Sequence, residues 1–273
     1  MEVTTVQGQV NMQGIAIQTQ DLTRRFGKLV AVDHLDLTVP RGIIFGFLGP
    51  NGAGKSTTIH MLTGLLPPTE GTATVGGYSI REEPLAMKQR IGVVPEELGL
   101  YERLTATEQL ELVGRLYGLS QEEIAARTPP LLNLLELEES ADQMILDYSQ
   151  GMRKKTAIAS ALIHSPEILF LDEPFQSIDP ISTRAIKEVL QDMVARRGTT
   201  IFFSTHVMEL AERFCDRVGI IHRGQLLTEG PIEELRARAG LGETASLEDV
   251  FIETVGAEVE EDVGLLSWLT GAQ

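Results

Sequence analysis

The sequence predicts a mixed α/β domain in which a core of alternating strands and helices is interrupted by an all-helical block. Three observations carry this expectation. Apolar runs too short for helices alternate with stretches of helical period. Residues 103–165 instead hold consecutive helix signatures. A Gly-rich turn separates the strongest apolar run from a helical segment, the arrangement of a strand–turn–helix unit.

Each element follows from local chemistry. Residues 42–48, Gly-Ile-Ile-Phe-Gly-Phe-Leu, read as a buried strand, followed by a helix from Lys55 to about Leu65 that Pro67-Pro68 stops. The Thr/Val/Gly composition of 71–78 predicts a short strand with turns, and 91–94 a further short strand. Thr105-Ala-Thr-Glu108 is a capping box, with Leu110, Val113 and Tyr117 following at helical spacing. Ser120-Gln-Glu-Glu123 is a second capping box, and 130–137 reads as a third short helix. Beyond the block, 168–171 is a strand, and Asp179-Pro180 is an N-cap with proline at the first helical position. Ile186, Val189, Leu190, Met193 and Val194 give that helix one apolar stripe, and Gly198 ends it. Residues 199–204 are a strand, 207–215 a helix and 218–222 a strand.

Composition excludes several classes. Of 273 residues, 23 are Lys or Arg and 39 are Asp or Glu, a net charge of −16 that argues against nucleic-acid binding. The hydrophobic share of 42% suits a folded chain rather than a disordered one. A single cysteine, Cys215, makes neither an internal disulfide nor a Cys-based zinc site, so a reducing, cytoplasmic setting is expected. No run approaches the ~18 apolar residues of a membrane helix. Residues 1–20 have neither a basic start nor an apolar stretch of the secretory kind.

Three segments carry chemistry. Gly49-Pro50-Asn51-Gly52-Ala53-Gly54-Lys55-Ser56, between strand and helix, matches a phosphate-binding P-loop. Its glycines let backbone N–H groups turn toward phosphates, and the helix N-terminus adds partial positive charge. Lys55 would reach the β- and γ-phosphates, and the Ser56 hydroxyl would ligate Mg²⁺. Asp172 and Glu173 end a buried strand; beside a P-loop, the first holds the Mg²⁺ shell and the second orients or deprotonates water. Alone, such a pair is an ordinary loop start. Tyr148-Ser149-Gln150-Gly151-Met152 precedes a helix whose start carries Arg153, Lys154 and Lys155. Cations there oppose the helix dipole, which an incoming anion would explain. His34, His60, His164 and His222 read as structural or surface residues.

Together these segments resemble the nucleotide-binding subunit of an ATP-binding cassette (ABC) transporter, over roughly residues 15–235. The resemblance implies a P-loop NTPase core with a small antiparallel β subdomain and the inserted helical subdomain, followed by an acidic tail over 236–273. It identifies Ser149, Gln150 and Gly151 with the family signature, although Leu-Ser-Gly-Gly-Gln is commoner. It identifies Asp172 and Glu173 with the Walker B aspartate and catalytic glutamate, and Ser177-Ile-Asp179 with the D-loop. His206 stands for the switch histidine, and Phe26 for the aromatic that stacks on adenine. Gly49 through Thr57 would hold ATP with Mg²⁺. Lys55 and His206 would stabilise the γ-phosphate, and Ser56 with Asp172 would hold the metal. The family's Q-loop glutamine is Glu96 here, which accepts but does not donate hydrogen bonds when ionised, and which remains able to ligate Mg²⁺. Phe175 and Ser177 replace a common threonine and glycine.

The family mechanism implies that two chains meet head to tail, since this one carries a single motif set. ATP lies between one P-loop and the other chain's signature, and closure drives a separate membrane permease from the inner face of the membrane. The segment 227–256, with Leu247-Glu-Asp-Val-Phe251, is similar to the tails of bacterial exporter ATPases of the drug or lipid type. A cassette ATPase of a soluble complex, for example in cofactor assembly, is the alternative. An unrelated GTPase would need Asn-Lys-x-Asp, and none of Asn11, Asn51 and Asn133 precedes lysine. Residues 96–147 carry 12 acidic and 3 basic side chains, and 231–273 carry 10 and 2, so the acidity lies outside the nucleotide core. An acidic helical block would suit a basic cytoplasmic loop of the permease.

Overall fold

The computed structural model describes residues 14–176, 178–242 and 244–264, with side chains through residue 255. The chain opens with β1 (Ile15–Phe26), β2 (Leu29–Leu35) and β3 (Thr38–Pro40), before β4 (Ile44–Leu48) and α1 (Lys55–Leu62). β5 (Glu70–Val75), β6 (Tyr78–Ser79), α2 (Pro84–Lys88) and β7 (Ile91–Val94) follow. The helical block comprises α3 (Ala106–Leu116), α4 (Gln121–Leu134) and α5 (Gln150–Leu162). β8 (Ile168–Asp172), α6 (Pro180–Arg197), β9 (Thr200–Thr205), α7 (Met208–Phe214), β10 (Arg217–His222) and β11 (Gln225–Gly230) restore the alternation. α8 (Ile232–Arg238) and α9 (Leu247–Gly264) come last.

The strands form two sheets. The central one has the order β11-β10-β4-β9-β8-β7 and is parallel except for β11. The other is antiparallel, β2-β1-β5-β6 with β3 also on β1. β4, β8 and β9 are buried along their whole length, because layers cover both faces of the central sheet. Phe45, Phe47, Phe170 and Phe202 face the antiparallel sheet and α1, with Phe45 and Phe170 each 5.5 Å from Phe202. Leu169, Leu171, Ile201 and Phe203 face the helical block and α6. Phe175 joins that second layer, edge-on to Phe203 and Phe214, so its place is in the core.

Both capping boxes form as the sequence predicts, Thr105 with Glu108 and Ser120 with Glu123. Gly198 caps α6 in the left-handed conformation at φ 66°. The first helix stops at Leu62, three residues earlier than expected. The separate helix expected at 130–137 is instead the end of α4, which continues through Pro129 and Pro130. Ile124, Thr128 and Leu132 are buried at four-residue spacing, and that single face holds the helix together across the two missing N–H groups. The division expected at 235/236 falls inside α8, and Leu247 and Val250 of α9 pack with Ile232, Leu235 and Val218 in one cluster.

Candidate active site

Three adjacent strand ends build the site. β4 lies beside β9 and β9 beside β8, with Leu48 opposite Thr205 and Asp172 opposite Ser204. Their carboxyl ends therefore bring together the Gly-rich loop, the two acids and His206 at one edge of the sheet, where open α/β sheets bind ligands.

The loop from Gly49 to Gly54 folds as phosphate-binding chemistry requires. Gly52 and Gly54 take φ of 80° and 108°, a region that favours glycine. A Cβ on Gly49 would lie 2.3 Å from the Ile221 carbonyl oxygen, and one on Gly54 2.5 Å from that of Ala31. The Ala53 N–H donates to Pro50 O at 3.2 Å, and the Ala53 carbonyl accepts from Gly224 N–H at 2.9 Å, which fixes the loop against the β10–β11 turn. Lys55 begins α1 and is buried; its Nζ donates to Gly49 O at 2.8 Å and Pro50 O at 3.2 Å, and lies 3.5 Å from Glu173 Oε1.

Asp172 and Glu173 are both buried. Ser204 Oγ, on the neighbouring strand, donates to Asp172 Oδ1 at 2.5 Å and accepts the Glu173 N–H at 3.1 Å. Asp172 Oδ2 is buried and has no hydrogen-bond partner among the described residues. A buried carboxylate oxygen without a donor fits a cation, and Ser56, the second residue of α1, lines the cavity that Glu173, next to Asp172 in the chain, also lines. Glu173 holds φ 44°, an uncommon conformation for a side-chain-bearing residue, and its Oε1 is 3.0 Å from His206 Nδ1.

A cavity of about 450 Å³ gathers Phe26, Asn51, Gly52, Gly54, Lys55, Ser56, Thr57, Glu96, Glu173 and Gln176. Phe26 is half exposed at its mouth, with the Arg24 guanidinium 4.6 Å over the ring. Gly49, Pro50 and Ala53 form the loop's back rather than the lining. Ser149, Gln150, Gly151 and Asp179 do not line this cavity. Ser149 caps α5, its Oγ accepting from Met152 N–H at 3.2 Å, and an added Cβ on Gly151 would lie 3.7 Å from Asp179 Oδ2. Asp179 caps α6 through hydrogen bonds from Ser182 and Ile181 N–H, with the Ser182 bond first in holding its carboxyl below the usual range. Ser177 lies outside the described residues. Gln150 lines a second cavity, of about 430 Å³, which Glu96 and Gln176 share with the first.

The basic run at the start of α5 does not present three cations to an anion. Arg153 pairs with Glu102 at 2.9 Å and donates to Leu146 O, and Lys155 pairs with Glu136 at 2.7 Å. Lys154 is buried in the second turn, where desolvation lowers its pKa against the pull of Asp172, Glu96 and Glu173. Ser204 and Gln176 carry no sequence signal that singles them out, and Lys154 was expected to be one of three cations facing an anion. The run Ser204-Thr-His206 marks Ser204 only through its histidine.

The comparisons with known proteins agree with this geometry. The family model described as ABC transporter matches residues 32–176. The linearmycin resistance ATP-binding protein LnrL of Bacillus subtilis (strain 168) is 41% identical over 224 residues, covering 82% of this chain and 72% of that protein. The ABC transporter ATP-binding protein NatA of the same organism is 42% identical, covering 80% and 91%. The daunorubicin/doxorubicin resistance ATP-binding protein DrrA of Streptomyces peucetius is 39% identical, covering 82% and 68%. A solved structure of an ATP-binding subunit of an ABC transporter superposes with a TM-score of 0.82 at 34% identity, covering 88% of this chain and 99% of its own. A dimeric ATP-binding cassette in a post-hydrolysis state with ADP and Pi superposes at 0.74 with 26% identity, covering 79% and 98%. The chain belongs to the ABC transporter ATP-binding family. Its fold is the ABC cassette, and its activity class is ATP hydrolysis.

Proposed function

We propose that this chain is the ATP-hydrolysing subunit of an exporter, acting as a head-to-tail pair on the inner face of the membrane beneath a separate permease. The observation that carries the reading is one cavity holding Lys55, Ser56 and Glu173, with the partnerless Asp172 oxygen beside it. ATP enters with its adenine on Phe26 and its phosphates against the N–H groups of Asn51 through Thr57. Lys55 exchanges its bonds to Gly49 O and Pro50 O for phosphate oxygens. Ser56 and Asp172 would hold Mg²⁺, with Glu96 the further candidate ligand at the cavity wall, and a bound metal would supply charge neutralisation at the phosphates. Glu173 takes a proton from the attacking water while the water's oxygen bonds the γ-phosphorus and the bond to the β-phosphate oxygen breaks, giving ADP and phosphate. His206 steadies Glu173 through its Nδ1 contact and reaches the γ-phosphate when the site closes.

The site on one chain is incomplete. Ser149, Gln150 and Gly151 lie outside the P-loop cavity, which supports their completing the site of a second copy. Export is favoured by the drug-resistance names of LnrL and DrrA. Among the described residues no helix is long and apolar enough to cross a membrane. The acidic block at 96–147 would dock a basic permease loop, an association that rising salt should weaken.

The test is Glu173→Gln. The purified variant should bind ATP, lose turnover by roughly a thousandfold, and run as an ATP-dependent dimer in size-exclusion chromatography. Near-normal hydrolysis rejects the assignment of Glu173.

A further inference from the structure

We propose that Arg24 is a positioning residue of the nucleotide site: its guanidinium backs the Phe26 ring, holds it ready for a base, and ties it to the segment that leaves the phosphate-binding helix. The inference rests on the reading of Phe26 as the surface on which adenine stacks, and carries that reading to the residue behind the ring.

Apolar packing does not fix Phe26. The ring ends β1 beside the turn at Gly27 and Lys28, is 45% exposed, and belongs to none of the three buried apolar clusters. Among the described residues, its cationic contact is Arg24, whose guanidinium carbon lies 4.6 Å from the ring centroid. Arg24 stands two residues earlier on the same strand, the spacing that puts two side chains on one face. Phe26 lines the P-loop cavity and Arg24 does not, so the ring stands between the cation and the space for nucleotide.

Arg24 is itself held. One terminal N–H donates to Pro67 O at 2.7 Å, in the segment that follows α1. That segment is stitched to β1 by the Thr69 N–H, which donates to Thr23 O at 2.8 Å, and by the Arg25 N–H, which donates to Thr69 Oγ1 at 3.1 Å. Neighbouring Arg25 pairs with Glu70 at 3.4 Å, whereas among the described residues Arg24 pairs with no carboxylate. Its Nε is buried and finds no acceptor among the described residues, so one carbonyl bond and the ring hold the group. Two effects follow. A ring already held loses less freedom when a base arrives. A guanidinium on one face also offsets the negative π-face of the ring, so an electron-rich purine meets less repulsion on the other. Lys55 and Ser56 begin the helix that Pro67 follows, so one side chain joins the base platform to the phosphate loop.

The experiment uses the full chain and equilibrium titration with Mg²⁺-ATP and with Mg²⁺-tripolyphosphate, which carries the phosphates without a base. The variants are Arg24→Met, Arg24→Lys, Phe26→Ala and the Arg24→Met/Phe26→Ala double variant. Arg24→Met should weaken ATP binding about two- to fivefold and leave tripolyphosphate unchanged. Arg24→Lys, which keeps a cation for the ring, should stay within about twofold of wild type. The double variant should bind ATP as Phe26→Ala does, since the arginine acts through the ring. In steady-state hydrolysis the loss should enter KM and spare kcat. Unchanged ATP affinity in Arg24→Met, an equal loss for both ligands, or additive losses in the double variant overturns the proposal. Normal ATP binding by Phe26→Ala overturns the proposal and the adenine platform together. A loss in Phe26→Ala without one in Arg24→Met overturns the role of Arg24 and leaves the platform standing. Should Arg24→Met not fold, Arg24→Gln, which keeps an N–H for Pro67, replaces it; failure of both to fold makes the arginine structural and overturns the proposal.

Discussion

Ser204→Ala isolates the one hydroxyl that holds both acids. Ser204 is fully buried on β9, donating to Asp172 Oδ1 at 2.5 Å and accepting from Glu173 N–H at 3.1 Å. The alanine keeps the Cβ and the strand packing but removes both bonds. Among the described residues the Asp172 carboxylate is then left without a hydrogen bond, because Oδ2 already lacks one, and the Glu173 N–H is orphaned at a strained φ of 44°. An unsatisfied buried group costs about 1–3 kcal/mol, and more when charged, so the pair should cost about 3–5 kcal/mol. For a domain of this size that lowers the melting temperature by roughly 6–20 °C. The assay is thermal unfolding by circular dichroism in EDTA, repeated with Mg²⁺ and ATP. Ligation of Asp172 restores a partner, so the variant should gain more from Mg²⁺-ATP than wild type does. Ser160→Ala is the control, since its Oγ donates only to Thr156 O one helical turn back. A Ser204→Ala loss under about 2 °C, or one equal to the control, refutes the claim that this hydroxyl supports the acids.

Two further predictions concern the loop and a histidine. Gly49→Ala places a Cβ 2.3 Å from the Ile221 carbonyl oxygen, which is backbone and cannot swing away. ATP affinity should fall at least about tenfold in equilibrium titration, the equivalent of 1.4 kcal/mol; unchanged affinity would show that the loop has room. His164 stacks on Tyr117 at 3.6 Å, with Nε2 2.9 Å from Ile91 O and Nδ1 buried without a partner. Burial chiefly pushes its pKa below the ordinary 6.5. The unfolded chain therefore binds a proton that the folded one resists, so this contribution is intact above about pH 6.5 and declines as pH falls below it. His164→Gln, which keeps an N–H donor for Ile91, should flatten that decline between about pH 6.5 and 5; parallel melting curves would assign the acid sensitivity elsewhere.

What the sequence disclosed was chemistry that needs consecutive residues. The P-loop, the acids closing β8 and the capping boxes are short, local and chemically constrained, so their places could be read directly. The antiparallel sheet entered only through the resemblance. β1 loses its period-two signal where its pairing with β2 shifts between Leu22 and Arg24 and its pairing with β5 shifts between Gln20 and Thr23, with Asp21 at φ 49°. α4 was divided because two prolines normally end a helix, and only tertiary packing of Ile124, Thr128 and Leu132 overrides that preference. The role of Ser204 and the burial of Lys154 went unforeseen for a related reason. A serine inside an apolar strand and a lysine in a basic run have no distinctive local pattern, and the serine's partners, Asp172 and Glu173, lie 32 and 31 residues away in the chain.

The paired cations on α5 also change how a second copy would recognise phosphate. A basic run at a helix start suggests side-chain charge, but Arg153 and Lys155 are already paired with Glu102 and Glu136, and Lys154 is buried. What α5 leaves outward is the exposed cap itself: Ser149, whose Oγ accepts from Met152 and keeps its own hydrogen to donate, and the first backbone N–H groups with the positive end of the helix dipole. Such donors are fixed by the backbone and lose little entropy on binding. They also act over short distances only, so in the proposed pair they would register a γ-phosphate when the two chains close and exert little pull before that. The full positive charge at the phosphates would then belong to Lys55, which would leave the Gly49 and Pro50 carbonyls to reach them. On the proposed arrangement ATP affinity would reside in the P-loop half of the site, and closure would depend on whether the γ-phosphate is present.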